Sequence, residues 1–171
     1  MLNREEIIAA VKAGKLVEDY IDLDAQVTPN GFDLTAKEIW DFKSCGALDF
    51  SNKERVIPES LALKPKKIKP EDKFGWWHLK QGVYKAVTNE VVNIPKDLTA
   101  LALPRSSLLR MGATVHTAVW DAGFCGRSEF VLSVMNPKGL KLKQNARIAQ
   151  LIFWDIKEVK EGYQGIYQGK K

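Results

Sequence analysis

Cysteine and histidine are scarce in this sequence. Its 171 residues hold two of each: Cys45 and Cys125, His78 and His116. Two cysteines cannot build a disulfide framework. With no CxxC or HExxH spacing present, zinc hydrolases and zinc-dependent deaminases are excluded. Low cysteine usage makes the cytoplasm the expected compartment. No apolar run approaches the ~18 residues of a membrane-spanning helix, so no membrane association is expected. The opening stretch MLNREEIIAAVKAGK is charged from Arg4 onward and lacks an apolar h-region, so no signal peptide is expected. GxxxxGK[ST] and GxGxxG are both missing, which removes the P-loop and Rossmann phosphate cradles.

What is present suits one soluble domain. Hydrophobic residues make up 45% and charged residues 27%, enough to build a core without disorder. Lys and Arg number 26 against 21 Asp and Glu, a net charge of +5. That mild excess fits an anionic ligand but does not by itself call for nucleic acid. The Trp76-Trp77 pair leaves a narrow opening for base stacking, but core or interface packing is the better reading.

Helical periodicity is confined to the N-terminus. Ile7, Ile8 and Val11 share a face over Asn3 to Ala13, Asn3 can cap, and Gly14 can stop the helix. Short β-rich runs follow: Val83–Val87, Val91–Ile94, Leu98–Leu103, Ala113–Trp120, Phe130–Met135, Leu140–Leu142 and Arg147–Ile156. Turn residues separate many of them, which predicts an all-β barrel or sandwich. Ser106 to Arg110 fits one helical turn. Lys64–Lys73, KPKKIKPEDK, reads as a solvated loop. From Glu158 onward the chain is polar, with two tyrosines and no core period. We expect a β domain over residues 1–157 and a mobile tail over 158–171 that closes on a ligand.

Four segments carry candidate chemistry. Pro29-Asn30-Gly31-Phe32-Asp33-Leu34 brings an acid onto a strand after a turn. Pro104-Arg105-Ser106-Ser107-Leu108-Leu109-Arg110 puts two guanidiniums and two hydroxyls where a strand gives way to a helix, a set suited to phosphate. Trp120-Asp121-Ala122-Gly123-Phe124-Cys125-Gly126-Arg127 holds an Asp in a Gly-rich turn, partly buried and able to deprotonate a water. Ala146-Arg147-Ile148-Ala149-Gln150-Leu151-Ile152-Phe153 sets Gln150 in an apolar strand, where it needs a hydrogen-bond partner. Taken singly, each segment also fits a plain turn, a capped helix or a braced core.

In this order the segments resemble the dUTPase/dCTP deaminase family, and within it most of all the archaeal-type dUTPases. The resembling text is PNGFDL, GVYKAVTNEVVNIPKDLTALALPRSSLLRMG, VWDAGFCGRSEFVL, NARIAQLIF and GYQGIYQG. Residues 41–75 are its least characteristic part. The resemblance implies a distorted β-barrel or jelly-roll subunit that works as a homotrimer, with sites between subunits. It implies that Arg105, Ser106, Ser107, Arg110 and Gln150 serve the phosphates, and that Asp121 activates water. Phe124 would pack on deoxyribose, and Thr117 and Ala118 would lie in the base-reading hairpin. Asp33 is an acid linked indirectly to a metal region, the metal being Mg²⁺. Tyr163, Tyr167, Gln168, Lys170 and Lys171 would cover the nucleotide.

The resemblance also discriminates between two chemistries. Deaminases of this family carry a catalytic Glu ten residues after the Asp, and here that position is Val131. Valine cannot shuttle a proton. Glu129 lies two residues earlier, on the same strand face but about 6–7 Å away along the chain. The stretch from His116 to Asp121 is about two residues shorter than the deaminase form. His116 is a candidate general base, though a packed or hydrogen-bonded His near a strand end explains it as well. The expected activity is therefore hydrolysis of dUTP to dUMP and pyrophosphate. The alternatives are a dCTP deaminase, alone or bifunctional, and a non-catalytic protein that senses nucleotide or binds nucleic acid.

Overall fold

Asn3 begins the first element as the sequence suggests. In this computed structural model, which describes residues 1–14 and 16–170, its side chain accepts from the Glu6 amide while Glu6 reaches back to the Asn3 amide. That capping box starts helix α1 (Arg4–Lys12), and Gly14, at φ +69°, follows its end. Ile7 and Val11 are buried beneath it.

The remaining elements are β1 (Val17–Glu18), α2 (Leu23–Gln26), β2 (Val27–Thr28), β3 (Gly31–Phe42), β4 (Ser60–Ala62), β5 (Trp76–Leu79), β6 (Gly82–Asn93), β7 (Leu98–Pro104), α3 (Ser106–Arg110), β8 (Ala113–His116), β9 (Cys125–Val134), β10 (Leu140–Lys143) and β11 (Arg147–Asp155). The main sheet runs β7-β11-β3-β6-β9-β8, with β1 added to β6 and β2 and β4 added to β3. Every pairing is antiparallel. An isolated bridge between Ala100 and Trp120 ties β7 to the chain beyond β8, so the two ends of the sheet nearly meet. The all-β, barrel-like class expected from the sequence is the one observed. β5 and β10 form a separate ribbon, where Trp77 is buried and donates from its indole to the Leu63 carbonyl at 2.7 Å.

The core fills the barrel. Phe32, Leu34, Ile39, Leu132, Ile148, Leu151 and Phe153 are almost wholly removed from solvent. Each such side chain contributes roughly 1.5–3 kcal/mol by leaving water. β9 alternates strictly, with Gly126, Ser128, Phe130, Leu132 and Val134 inward.

Two expected boundaries move. Val83–Val87 and Val91–Ile94 are parts of one strand, β6, interrupted by a bulge. Val87 faces Glu129 and Val91 faces Arg127, so four steps on β6 oppose two on β9. The strand expected over Ala113–Trp120 ends at His116. Lys64–Lys73 is mostly exposed loop. Among the described residues no helix is long and apolar enough to cross a membrane.

Candidate functional site

The expected residues gather in two places. One is built where β3, β7 and β11 meet. Gln150 faces Asp33 across the β3–β11 ladder and Leu103 across the β7–β11 ladder. Asp33 is 1% exposed, and its carboxylate pairs with Arg105 and, at 3.3 Å, with Arg147. Burial pushes the Asp33 carboxyl above its ordinary value, and the two guanidiniums pull the other way. The Gln150 amide donates to the Thr28 hydroxyl. Arg105 is the residue before α3, where its side chain makes no cap; Ser106, Ser107 and Arg110 stand exposed on the helix.

The second place is a pocket of about 450 Å³ over the outer face of β6 and β9, a size that suits a nucleotide-sized ligand. Asp121, Phe124, Ala118, Tyr163 and Tyr167 line it. The Asp121 turn is closed by the Phe124 amide donating to the Asp121 carbonyl at 3.0 Å. It is pinned to the end of β6, since Ile94 donates to the Phe124 carbonyl and Gly123 to the Ile94 carbonyl, at 2.7 and 2.9 Å. The turn is therefore rigid. Asp121 itself, expected to be partly buried, is exposed in the single chain, because the residues of the turn that pack inward are its neighbours Trp120 and Ala122.

Residues 159–170 fold back over this turn. Tyr163 donates to the Ala122 carbonyl at 2.8 Å and Gly169 to that of Cys125 at 2.7 Å. The Gln168 amide bridges the turn, accepting from the Cys125 amide at 3.0 Å and donating to the Gly123 carbonyl at 2.9 Å. Tyr163 meets Phe124 edge-on, with centroids 5.5 Å apart. Gly123 permits this approach: it adopts φ +83°, and a Cβ there would sit 2.6 Å from the Gly162 Cα. Lys171 lies outside the described residues.

The pocket lining includes none of Arg105, Ser106, Ser107, Arg110 and Gln150. Within one chain the two clusters remain apart. Thr117 turns away from the pocket, its hydroxyl donating to the Ala102 carbonyl at 3.1 Å. His116 is exposed at the end of β8, opposite Val131 and off the pocket lining. Val131 and Glu129 both face the pocket. The bulge lies in β6, so β9 stays regular and Glu129 keeps its two-residue offset from Val131.

Between the clusters runs a polar chain that the sequence did not disclose. The bulge turns Glu90 into the interior at 0% exposure. Its carboxylate accepts from the Gln26 amide at 2.7 Å, from the Thr35 hydroxyl at 2.5 Å and from the Thr35 amide at 2.9 Å. Burial drives its carboxyl above the usual range, and these donors draw it back. Gln26 also donates to the Asp33 carbonyl at 2.8 Å. On the other side Arg127 caps the Thr88 and Asn89 carbonyls and pairs with Asp19 at 2.9 Å, while its Nε is buried without a partner. The one available signal was an acid, Glu90, inside a run of β-formers. Among the described residues no group of three or more His, Cys, Asp or Glu is placed to hold a metal ion.

Comparison with known proteins agrees with this architecture. The sequence profile described as dCTP deaminase-like matches residues 1–156. A probable deoxyuridine 5'-triphosphate nucleotidohydrolase of Methanosarcina mazei is 50% identical over 99% of this chain and 97% of its own. The deoxyuridine 5'-triphosphate nucleotidohydrolase of Methanocaldococcus jannaschii is 37% identical over 86% of this chain and 90% of its own. In fold, the crystal structure of 2'-deoxycytidine 5'-triphosphate deaminase from Agrobacterium tumefaciens superposes with a TM-score of 0.64 at 20% identity, covering 89% of this chain and 47% of that longer one. The chain belongs to the dCTP deaminase-like family.

Proposed function

We propose that this chain is a dUTP diphosphatase, which hydrolyses dUTP to dUMP and pyrophosphate and so removes dUTP while supplying dUMP for thymidylate synthesis. Relatives that match it over nearly its whole length carry that name. The observation that carries the reading is chemical. The pocket holds the carboxylate of Asp121 and, at the position where a deaminase of this family needs its Glu, holds Val131. A carboxylate with access to water can start hydrolysis of a phosphate ester. A valine cannot protonate or deprotonate a cytosine, so dCTP deamination is not favoured.

In this reading Asp121 takes a proton from a water, which attacks the α-phosphorus, and pyrophosphate leaves. General-base help is worth roughly 10²–10⁴-fold, so charge stabilisation has to supply the rest. Arg105 and Arg110 are the guanidiniums for that task, with Ser106, Ser107 and Gln150 as further hydrogen-bonding groups. Phe124 packs against the sugar. Ala118 and the main chain at Thr117 border the base, since the Thr117 hydroxyl is engaged elsewhere. Tyr163, Tyr167 and Gln168 form a lid.

The side chains offer no ready-made cage for Mg²⁺. Asp33, the indirect candidate, already faces two guanidiniums. We assign it to orienting Arg105. The metal then enters as the magnesium complex of the triphosphate, where it neutralises phosphate charge.

The separation of the clusters within one chain supports a homotrimer in which the Arg105–Arg110 segment of one copy meets the Asp121 pocket of another. The expected setting is cytoplasmic, without membrane or nucleic acid. The test is to supply purified protein and Mg²⁺ with each deoxynucleoside triphosphate in turn. Pyrophosphate from dUTP without ammonia is expected. Ammonia from dCTP would make it a deaminase, and tight binding without turnover would make it a nucleotide sensor.

A further inference from the structure

Beneath the Asp121 turn lies an ion pair that the proposed mechanism does not use. On the outer face of the β6–β9 ladder, Lys85 stands opposite Val131 and Val87 opposite Glu129. Positions two apart on a strand share a face, so Lys85 and Glu129 are diagonal neighbours on the pocket side. The Lys85 ammonium lies 3.3 Å from Glu129 Oε2 and 4.8 Å above the Trp40 ring. Both residues line the same pocket as Asp121 and Phe124.

This pair is not closed off. Glu129 is 45% exposed, and only one of its carboxylate oxygens is engaged by Lys85. Arg127, also in the lining, is by contrast committed to the Thr88 and Asn89 carbonyls and to Asp19. Lys85 and Glu129 therefore present a donor beside an acceptor to whatever fills the pocket.

We propose that Lys85 and Glu129 read the pyrimidine base, with Lys85 Nζ donating to O4 of uracil and Glu129 accepting from its N3–H. The proposal rests on the dUTP reading and names the residues that set its selectivity. Uracil shows an acceptor (O4) next to a donor (N3–H). Cytosine shows the reverse, an amino donor next to a bare N3 acceptor. A cationic donor beside an anionic acceptor complements the first edge and opposes the second at both positions. Mismatched polar groups in a closed site carry a large penalty, which is how hydrogen-bonding sites reject close analogues. Val131 completes the arrangement, because it adds no polar group that would favour the cytosine edge.

The test is the ratio of kcat/KM for dUTP to that for dCTP, with pyrophosphate as product, together with calorimetric titration of dUMP and dCMP. Glu129→Gln and Lys85→Met should each lower the ratio by at least about tenfold, mainly by raising KM for dUTP. The double exchange Lys85→Glu with Glu129→Lys keeps an ion pair but reverses donor and acceptor, and should move binding toward dCMP. If the double exchange restores wild-type preference, or the single variants slow both nucleotides equally, the pair is a structural brace and the proposal fails. If wild-type protein turns over neither nucleotide, the dUTP reading fails. The dUMP and dCMP titrations then still decide the base-reading role, with equal affinities counting against it.

Discussion

Around Asp33, charge is answered within the chain: the carboxylate is buried and held by Arg105 and Arg147. Around Asp121, it is left open: the turn is rigid, yet the carboxylate stands exposed. The first region is a finished piece of structure that aims a guanidinium. The second is a prepared surface awaiting a partner. Preorganised charge in one place and an unspent base in another is what a site divided between copies of a chain requires, since neither half can react alone.

Breaking each region should have different consequences. Asp121→Asn should lower kcat for dUTP by about 10²–10⁴-fold while titration still detects nucleotide binding and the melting temperature stays put. Asp33→Asn should act on the fold instead. It leaves two guanidiniums against a neutral amide in a buried site, and should cost about 3 kcal/mol in chemical denaturation, tempered because both arginines are partly solvated. Gly123→Ala should strain the turn and push residues 162–163 away from it, raising KM several-fold with little change in kcat.

The smallest effect is a pH dependence in the strip between the two regions. The Glu90 carboxyl titrates above its unfolded value of 4.5 because it is buried. Its stabilising contribution is therefore complete below about pH 4.5 and is lost as pH rises through the raised folded value. The stability of wild type relative to Glu90→Gln should fall across that window in denaturation curves taken at several pH values. A difference that grows with pH would reverse the sign of this account.

Much of this was legible in the sequence. The Asn3 cap, the alternating burial of β9, the short helix at Ser106–Arg110 and the Asp121 turn rest on local patterns, and local patterns survive folding. What escaped was non-local. β3 spans twelve residues, but its first half is buried on both faces, so it lacks the alternation that marks a strand. The Thr88-Asn89-Glu90 bulge interrupts the apolar run and looks like a break between strands. Only the ladder with β9 makes it one strand with an inward Glu90. Arg147 and Gln26 gain meaning only from Asp33 and Glu90, which are far from them in sequence or on other elements. The exposure of Asp121 was misjudged because the Gly-rich turn implied partial burial, whereas its packing comes from Trp120 and Ala122.

The central claim is that Asp121 and the Arg105–Arg110 segment serve one site from different chains. Subunit complementation tests it directly. Asp121→Asn and Arg110→Ala proteins, each impaired alone, are dissociated, mixed in equal amounts, reassembled and assayed for pyrophosphate release from dUTP. Random assembly should regenerate intact sites at about a quarter of the wild-type number, and activity should recover in proportion. A mixture no more active than the mean of its two components would place both residues in a site within one chain and contradict the account.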